Sequence, residues 1–271
     1  MNAITVAFGT HDSSIEPLTW SARLAQHLEA PLQVLSIVAP VSADAPPEFF
    51  AELDQRRRQD IEQATKNAGA ASADVVVLNE HKPLAAIASY VNEHQPTMCV
   101  VGTHDSHEPG GLGEGNPAHH LLHHCHVPVA MVGPGAPTLD GGVFVVGVEA
   151  TGDPSPALQL ASTLASATNG TVHAVHAYES LSEDEAERWR QIEADLAGGV
   201  AAPLKFFPPA GHPAQVILEH GDAHDAAAIV TGTRGSGGFG GLILGRVPAQ
   251  LLSHANRPLI VVPHPAARSS T

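Results

Sequence analysis

The chain has 271 residues, 43% of them hydrophobic, and a formal net charge of −15. At about 150 residues per domain this length suggests two globular domains, and the charge argues against nonspecific binding to DNA, RNA or acidic membranes, whose phosphates would be repelled. Two cysteines cannot build a disulfide framework, and neither a signal peptide nor a membrane-spanning apolar run is recognisable. We therefore expect a cytoplasmic protein.

Short apolar strands alternate with helices through the first half of the chain. The pattern predicts strands at 4–8, 32–38, 74–78, 98–101 and 127–132, with helices ending near 28 and spanning about 48–67 and 83–93. This rhythm is typical of a parallel sheet with crossover helices. The Pro- and Gly-rich segment 133–142 then predicts a domain boundary.

The order of elements restarts after this boundary. Strands are predicted at 143–148, 171–178, 204–207, 228–230 and 259–262, with intervening helices that include one opening after Ser182 and one at 213–220. A shift of 130 residues aligns 100–132 with 230–262 without a gap, and it also pairs His94 with His224. Such self-similarity at a fixed spacing indicates that the chain is a duplication.

A glycine-rich loop follows the fourth strand of the second half. Gly232, Gly235 and Gly245 form the pattern Gly-x2-Gly-x9-Gly between that strand and the next helix. Together with Gly211-His212-Pro213 upstream and Arg257-Pro258-Leu259-Ile260-Val261-Val262 downstream, this pattern resembles the universal stress protein family. The resemblance covers nearly the whole chain, which is similar to a tandem of two such domains at residues 1–134 and 142–265.

The resemblance implies two five-stranded, parallel, doubly wound α/β domains of the Rossmann-like, adenine nucleotide alpha hydrolase-like type. It also implies ATP or a related adenine nucleotide, with or without Mg²⁺, at the carboxyl ends of the strands, in agreement with the rule for open parallel sheets. Family members commonly dimerise through the last strand. The two halves are therefore expected to form an intrachain pseudo-dimer, and a homodimer is a second arrangement.

The second half has the better preserved nucleotide loop. Glycines let the backbone approach a phosphate closely, and Gly245 would close the loop at a helix start. The resemblance places a hydroxyl residue next, where this chain has Arg246, although a guanidinium is itself a phosphate partner. Glu149 stands where the family has an Asp near the base and ribose, and Ala177 matches a position whose backbone lies near the adenine. The predicted nucleotide-binding residues are Glu149, Ala177, Thr231, Gly232, Arg234, Gly235, Ser236, Gly245, Arg246 and Val247.

The corresponding loop of the first half departs from the pattern. Gly102 and Gly115 are kept, but Asp105 replaces the middle glycine and Asn116 follows the last one. An aspartate there adds a Cβ and a negative charge where phosphates would lie. Gly9 also stands where the first-strand acid belongs. These departures predict a degenerate first domain that binds no nucleotide.

Five histidines cluster between residues 119 and 126. The pairs His119/His123 and His120/His124 have the i,i+4 spacing that can hold a transition metal on a helix, but no acidic ligand lies at recognisable spacing. A solvated polar face is the favoured interpretation, and no metal is predicted.

No catalytic constellation is recognisable in the sequence. It contains neither a Gly-x-Ser-x-Gly elbow nor a complete Walker pattern. Cys99 is expected to be buried in a strand and Cys125 to end a helix. We therefore predict a regulatory stress protein rather than an enzyme, with no catalytic residues. Two alternatives stay open: a nucleotide-independent scaffold whose glycines only form a surface loop, and a slow nucleotide hydrolase.

Overall fold

The computed structural model describes residues 2–9, 15–38, 47–103, 117–149, 155–177, 183–233 and 244–263, which belong to two compact units. The first unit ends at Gly135 and the second begins at Ala136. Within these ranges, every helix is too short or too polar to cross a membrane.

The first unit is a parallel sheet with helices between its strands. Its described elements are β1 (Ile4–Ala7), α1 (Glu16–His27), β2 (Leu32–Val38), α2 (Pro47–Asn67), β3 (Asp74–Asn79), α3 (Pro83–His94), β4 (Met98–Gly102), α4 (Pro117–His124) and β5 (Val129–Val132). The strand order is β3-β2-β1-β4-β5, and each neighbouring pair is parallel. This is the order of a doubly wound half, in which the chain reverses direction between β1 and β4.

The second unit repeats that arrangement. Its described elements are β6 (Val143–Gly147), α5 (Pro156–Ala167), β7 (Thr171–Val175), α6 (Glu183–Gly198), β8 (Leu204–Phe207), α7 (Pro213–Ala223), β9 (Ala228–Gly232), α8 (Arg246–His254) and β10 (Leu259–Val262). The strand order is β8-β7-β6-β9-β10, again with parallel neighbours. The predicted fold class of two tandem parallel α/β domains is confirmed.

The central strands are almost entirely apolar, as is usual where both faces of a parallel sheet are covered. Phe144, Val145 and Val146 of β6 are fully buried, as expected for a strand with helices on either side. At the start of α5, the hydroxyl of Ser155 accepts a 3.2 Å hydrogen bond from the N–H of Leu158, which satisfies one of the donors left open at a helix start. Burial and capping thus fix the elements that flank the crevice described below.

Several predicted ends were wrong by a few residues. β7 ends at Val175 rather than at 178, β1 ends at Ala7, β5 begins at Val129, and β9 runs on to Gly232. α7 continues to Ala223 instead of ending at His220. Ser182, after which a helix was predicted to open, lies outside the described residues, and α6 begins at Glu183. Because of the extension of α7, His224 is the C-cap of this helix and lies one turn after His220.

Candidate functional site

The crevice of the second unit lies between the carboxyl ends of β6 and β9. These two strands are neighbours, but the chain leaves them toward opposite sides of the sheet, which is the position where open parallel sheets bind ligands. Glu149, two residues after β6, is exposed. Thr233, directly after β9, is 8% exposed, and its N–H donates to the carbonyl of Val262 at 2.9 Å.

The start of α8 is attached directly to the end of β9. The N–H of Gly245 donates a 2.7 Å hydrogen bond to the carbonyl of Thr233, and a Cβ on Gly245 would lie 3.1 Å from that oxygen. Gly245 is the N-cap of α8, as predicted. This close approach explains why glycine occupies the position.

The first turn of α8 offers two backbone donors. Pro248 has no N–H, and the N–H of Ala249 donates to the carbonyl of Gly245 at 3.1 Å. The N–H groups of Arg246 and Val247 therefore lie at the positive end of the helix with no intrahelical partner, as helix geometry requires. Arg246 is exposed. Together they form an electropositive helix start at the carboxyl edge of the sheet, which is suited to an anion.

Other predicted residues lie at the same edge or outside the described chain. Gly232 ends β9, and Ala177 follows β7, the strand beside β6. Thr231 is 5% exposed and its hydroxyl donates to the carbonyl of Gly232 at 3.3 Å, so its side chain is already hydrogen-bonded within the strand end. Arg234, Gly235 and Ser236 lie outside the described residues, and their predicted roles are not tested.

Two glycines of the first unit lie at the ends of its central strands. Gly102 ends β4 and Gly9 follows β1, so both lie at the corresponding edge. Asp105, Gly115 and Asn116 lie outside the described residues. The predicted degeneracy of this domain stays a prediction.

The histidines of α4 form two contacting pairs. Nε2 of His123 lies 3.2 Å from Nε2 of His119, and the rings of His120 and His124 have centroids 4.4 Å apart. The predicted i,i+4 pairing is confirmed, but three of these side chains are half-buried rather than fully solvated. Burial and the neighbouring His123 lower the pKa of His119. Among the described residues, neither pair has a third ligand that would complete a metal site.

A second group of histidines was missed by the sequence prediction. His173 on β7 and His220 and His224 at the end of α7 each present a ring nitrogen, and these atoms lie within 4.8 Å of one another. Two signals pointed to this group. His173 interrupts the apolar strand Thr171-Val172-His173-Ala174-Val175, and His220 and His224 have i,i+4 spacing. The helix was predicted to end at His220, so the second signal was not recognised.

Both cysteines are buried. Cys99 lies in β4, as predicted, and Cys125 directly follows α4, in agreement with the prediction that it ends a helix. Burial raises the pKa of the Cys99 thiol, and it raises that of Cys125 to about 12. A thiol with so high a pKa is not a nucleophile at neutral pH.

Comparison with known proteins agrees with the fold. The universal stress protein family matches residues 1–133 and 143–263, and the chain belongs to this family, in its tandem form. Universal stress protein Rv2623 of Mycobacterium tuberculosis is 25% identical over 292 residues, covering 96% of each chain. A universal stress protein from Archaeoglobus fulgidus superposes with a TM-score of 0.72 at 18% identity, covering 97% of this chain and 98% of its own. A putative universal stress protein from Pseudomonas aeruginosa gives 0.66 at 17% identity, with coverage of 97% and 93%.

Proposed function

We propose that the second domain binds ATP or a related adenine nucleotide and that occupancy of this site regulates contacts with another protein. The observation that carries the proposal is the start of α8, where Gly245 is hydrogen-bonded to Thr233 at the carboxyl edge of a parallel sheet. Backbone N–H groups at such a position attract phosphate. The guanidinium of Arg246 adds a positive charge to the same turn.

The rest of the proposed site follows the strand ends. Glu149 carries a carboxylate after β6, where it would hydrogen-bond a ribose hydroxyl, and Ala177 would place its backbone beside the base. Arg234, Gly235 and Ser236 complete the phosphate loop in the proposal. The first domain is proposed to be an empty partner, because Asp105 brings a negative charge into the equivalent loop.

Titration calorimetry of the full chain with ATP, in the presence and absence of Mg²⁺, tests the proposal. We expect saturable binding of one nucleotide per chain. Absence of heat and saturation at millimolar ATP contradicts it and favours the nucleotide-independent scaffold. Steady release of phosphate, abolished by Gly235→Asp, supports the slow hydrolase instead.

Arg246 provides a sharper test because the family has a hydroxyl residue at this position. Arg246→Ala should weaken ATP binding roughly ten- to a hundredfold, the usual range for a lost charge-assisted hydrogen bond. Arg246→Ser restores a short hydroxyl contact and should retain more affinity than alanine. Arg190→Ala, on the exposed face of α6, changes the net charge equally and is the matched control. Equal weakening by both alanine variants would indicate a long-range charge effect rather than contact with phosphate.

A further inference from the structure

His173, His220 and His224 converge on one point at the face of the second domain's sheet. Nδ1 of His173 lies 3.0 Å from Nε2 of His220, and the rings of His220 and His224 stack with centroids 4.1 Å apart. The ring of Phe207 packs against His173 and His220 at centroid distances of 4.7 and 4.4 Å. The ring of Phe207 and the three imidazole rings therefore surround a small space that contains the ring nitrogens.

We propose that these three histidines bind a zinc ion or a similar transition-metal cation, with a fourth coordination position open to water. Tetrahedral ligands at about 2.0–2.1 Å from zinc lie about 3.3 Å from one another. The 3.0 Å separation of His173 and His220 is close to this value, and the third nitrogen is within 4.8 Å. These separations bring one nitrogen of each ring within the range that a single ion needs.

The hydrogen-bond pattern prepares His224 for a metal. Its Nδ1 faces the carbonyl of His220 at 3.0 Å. A carbonyl only accepts, so Nδ1 carries the proton and Nε2 keeps its lone pair. Histidine ligands of metals commonly donate their other N–H in this way, which fixes the ring and its tautomer.

The contact between His173 and His220 also determines which ring nitrogens are free to bind an ion. This contact requires one donor and one acceptor, so at least the accepting ring is neutral. The pKa of His173 is lowered to about 4, mainly by burial and to a smaller extent by His220, His224 and Lys205. Burial and His224 lower the pKa of His220 to about 4. A ring nitrogen binds metal through its lone pair, so the nitrogen that donates in this contact passes its proton to the other nitrogen of the same ring, or to water, when the ion binds.

The site has an entry path and lies apart from the nucleotide crevice. His173 is 4% exposed, His220 is half-buried and His224 is exposed, so an ion can enter from the side of His224. α7 returns from the carboxyl end of β8, so its last turn lies toward the amino ends of the strands. Arg257, just before β10, binds Asp222 on that turn and confirms the position. Gly245 and Arg246 lie at the opposite edge.

The first domain provides a natural comparison for the helix positions. The shift of 130 residues pairs His220 with Tyr90 and His224 with His94. The ring of Tyr90 stacks on His94 with centroids 3.9 Å apart, and Nδ1 of His94 faces the carbonyl of Tyr90 at 2.9 Å. The first domain therefore has the same geometry at the end of its helix, but with one histidine instead of two.

The equivalent strand position also has a histidine in the second domain but not in the first. Cys99 and Ile229 are equivalent residues of the two domains. Two steps of strand pairing lead from Cys99 to Gln33 and from Ile229 to His173, so Gln33 and His173 are equivalent as well. Gln33 forms a side-chain hydrogen bond with Tyr90 and donates to Asp74 at 3.1 Å. One fold thus contains a Gln-Tyr-His group in the first domain and a three-histidine group in the second.

The comparison supplies substitutions suited to this fold. His173→Gln and His220→Tyr introduce the residues found at the equivalent positions of the first domain. The measurement is competition for Zn²⁺ between the full chain, previously freed of metal, and a chromophoric chelator. Wild type should bind one ion that each variant binds roughly a hundredfold more weakly or not at all, since even second-shell changes cost ten- to a hundredfold. His94→Gln is the matched control and should retain wild-type affinity.

Three further outcomes decide the case. Absence of Zn²⁺ binding by the wild type overturns the proposal whether or not the variants fold. Equal affinity of wild type and a folded His220→Tyr overturns it as well. Loss of the ion in the double variant His119→Gln, His123→Gln, but not in His173→Gln, would assign the ion to α4 instead.

The same three-histidine group can be built in the first domain. Gln33→His combined with Tyr90→His should add a second bound ion, because His94 is already in place.

Discussion

The N–H of Gly245 donates to the carbonyl of Thr233 at 2.7 Å, which joins the start of α8 to the end of β9. The same contact leaves little room for a side chain, because a Cβ on Gly245 would lie 3.1 Å from that carbonyl oxygen. The position of the proposed phosphate-binding turn therefore depends on a glycine.

Gly245→Ala should lower the free energy of unfolding by about 1 kcal/mol or more, the usual cost of inserting a methyl group into a packed position. It should also weaken nucleotide binding, since the turn must move away from Thr233. Urea unfolding and calorimetry measure the two effects. Gly198→Ala is the control, because a Cβ at that helical position meets nothing within 4 Å; alanine there should be neutral or stabilising by up to about 1 kcal/mol.

The two halves should respond differently to exchanges in their nucleotide loops. Gly235→Asp should abolish ATP binding, since it places a carboxylate beside the phosphates. Asp105→Gly should restore little binding in the first domain, because Gly9 still lacks the carboxylate that Glu149 supplies in the second. Calorimetric stoichiometry distinguishes the domains. Two equivalents per wild-type chain would contradict the asymmetry.

Acid should destabilise the metal-free protein through the three-histidine group. His173 and His220 have pKa values of about 4 in the fold, against about 6.5 when unfolded. Between these values the unfolded chain binds more protons than the native one, so stability falls as the pH drops from 6.5 to 4 and levels off below.

Urea midpoints measured across this range test the prediction. His173→Gln combined with His220→Tyr should flatten the pH dependence, because neither residue of the variant titrates there. A slope unchanged by the double substitution would assign the acid sensitivity to other groups, such as the remaining histidines; the chain has 18 histidines including these two.

Arg257 should contribute measurably to stability although its partners are exposed. Its guanidinium contacts Asp222 at 3.2 Å and also Asp225, and its side chain is only 20% exposed. Arg257→Ala should cost about 1 kcal/mol at low salt and less at high salt. Arg56→Ala is the control, since the pair with Glu52 spans 4.0 Å with both side chains more than 70% exposed; no change in the urea midpoint is expected there.

Most of the fold could be predicted from periodicity and repetition. The strands at 32–38, 204–207 and 259–262 were placed correctly, because apolar runs bounded by turn residues leave little ambiguity. The errors fell at ends such as Val175. At this end the N–H of His176 still donates to the carbonyl of Phe207, although regular strand pairing has stopped. The apolar pattern of the sequence does not distinguish such a residue from one inside the strand.

The site was predicted less completely. Gly245 could be placed as a helix N-cap because its role follows from local spacing. The three-histidine group could not, because His173 and His220 are 47 residues apart and meet only through packing of α7 over the sheet. Their equivalents in the first domain, Gln33 and Tyr90, share no chemistry with them, so the repeat did not draw attention to these positions.

The two buried thiols make the native protein a suitable background for site-specific labelling. Cys99 and Cys125 are 0% and 2% exposed, so a maleimide should leave them unmodified until the chain unfolds, when both become reactive. A cysteine introduced at the exposed Asp60 and another at Asp195 would then be the only sites to accept fluorophores. Energy transfer between the two dyes would report the spacing of the domains in solution, with and without ATP or zinc.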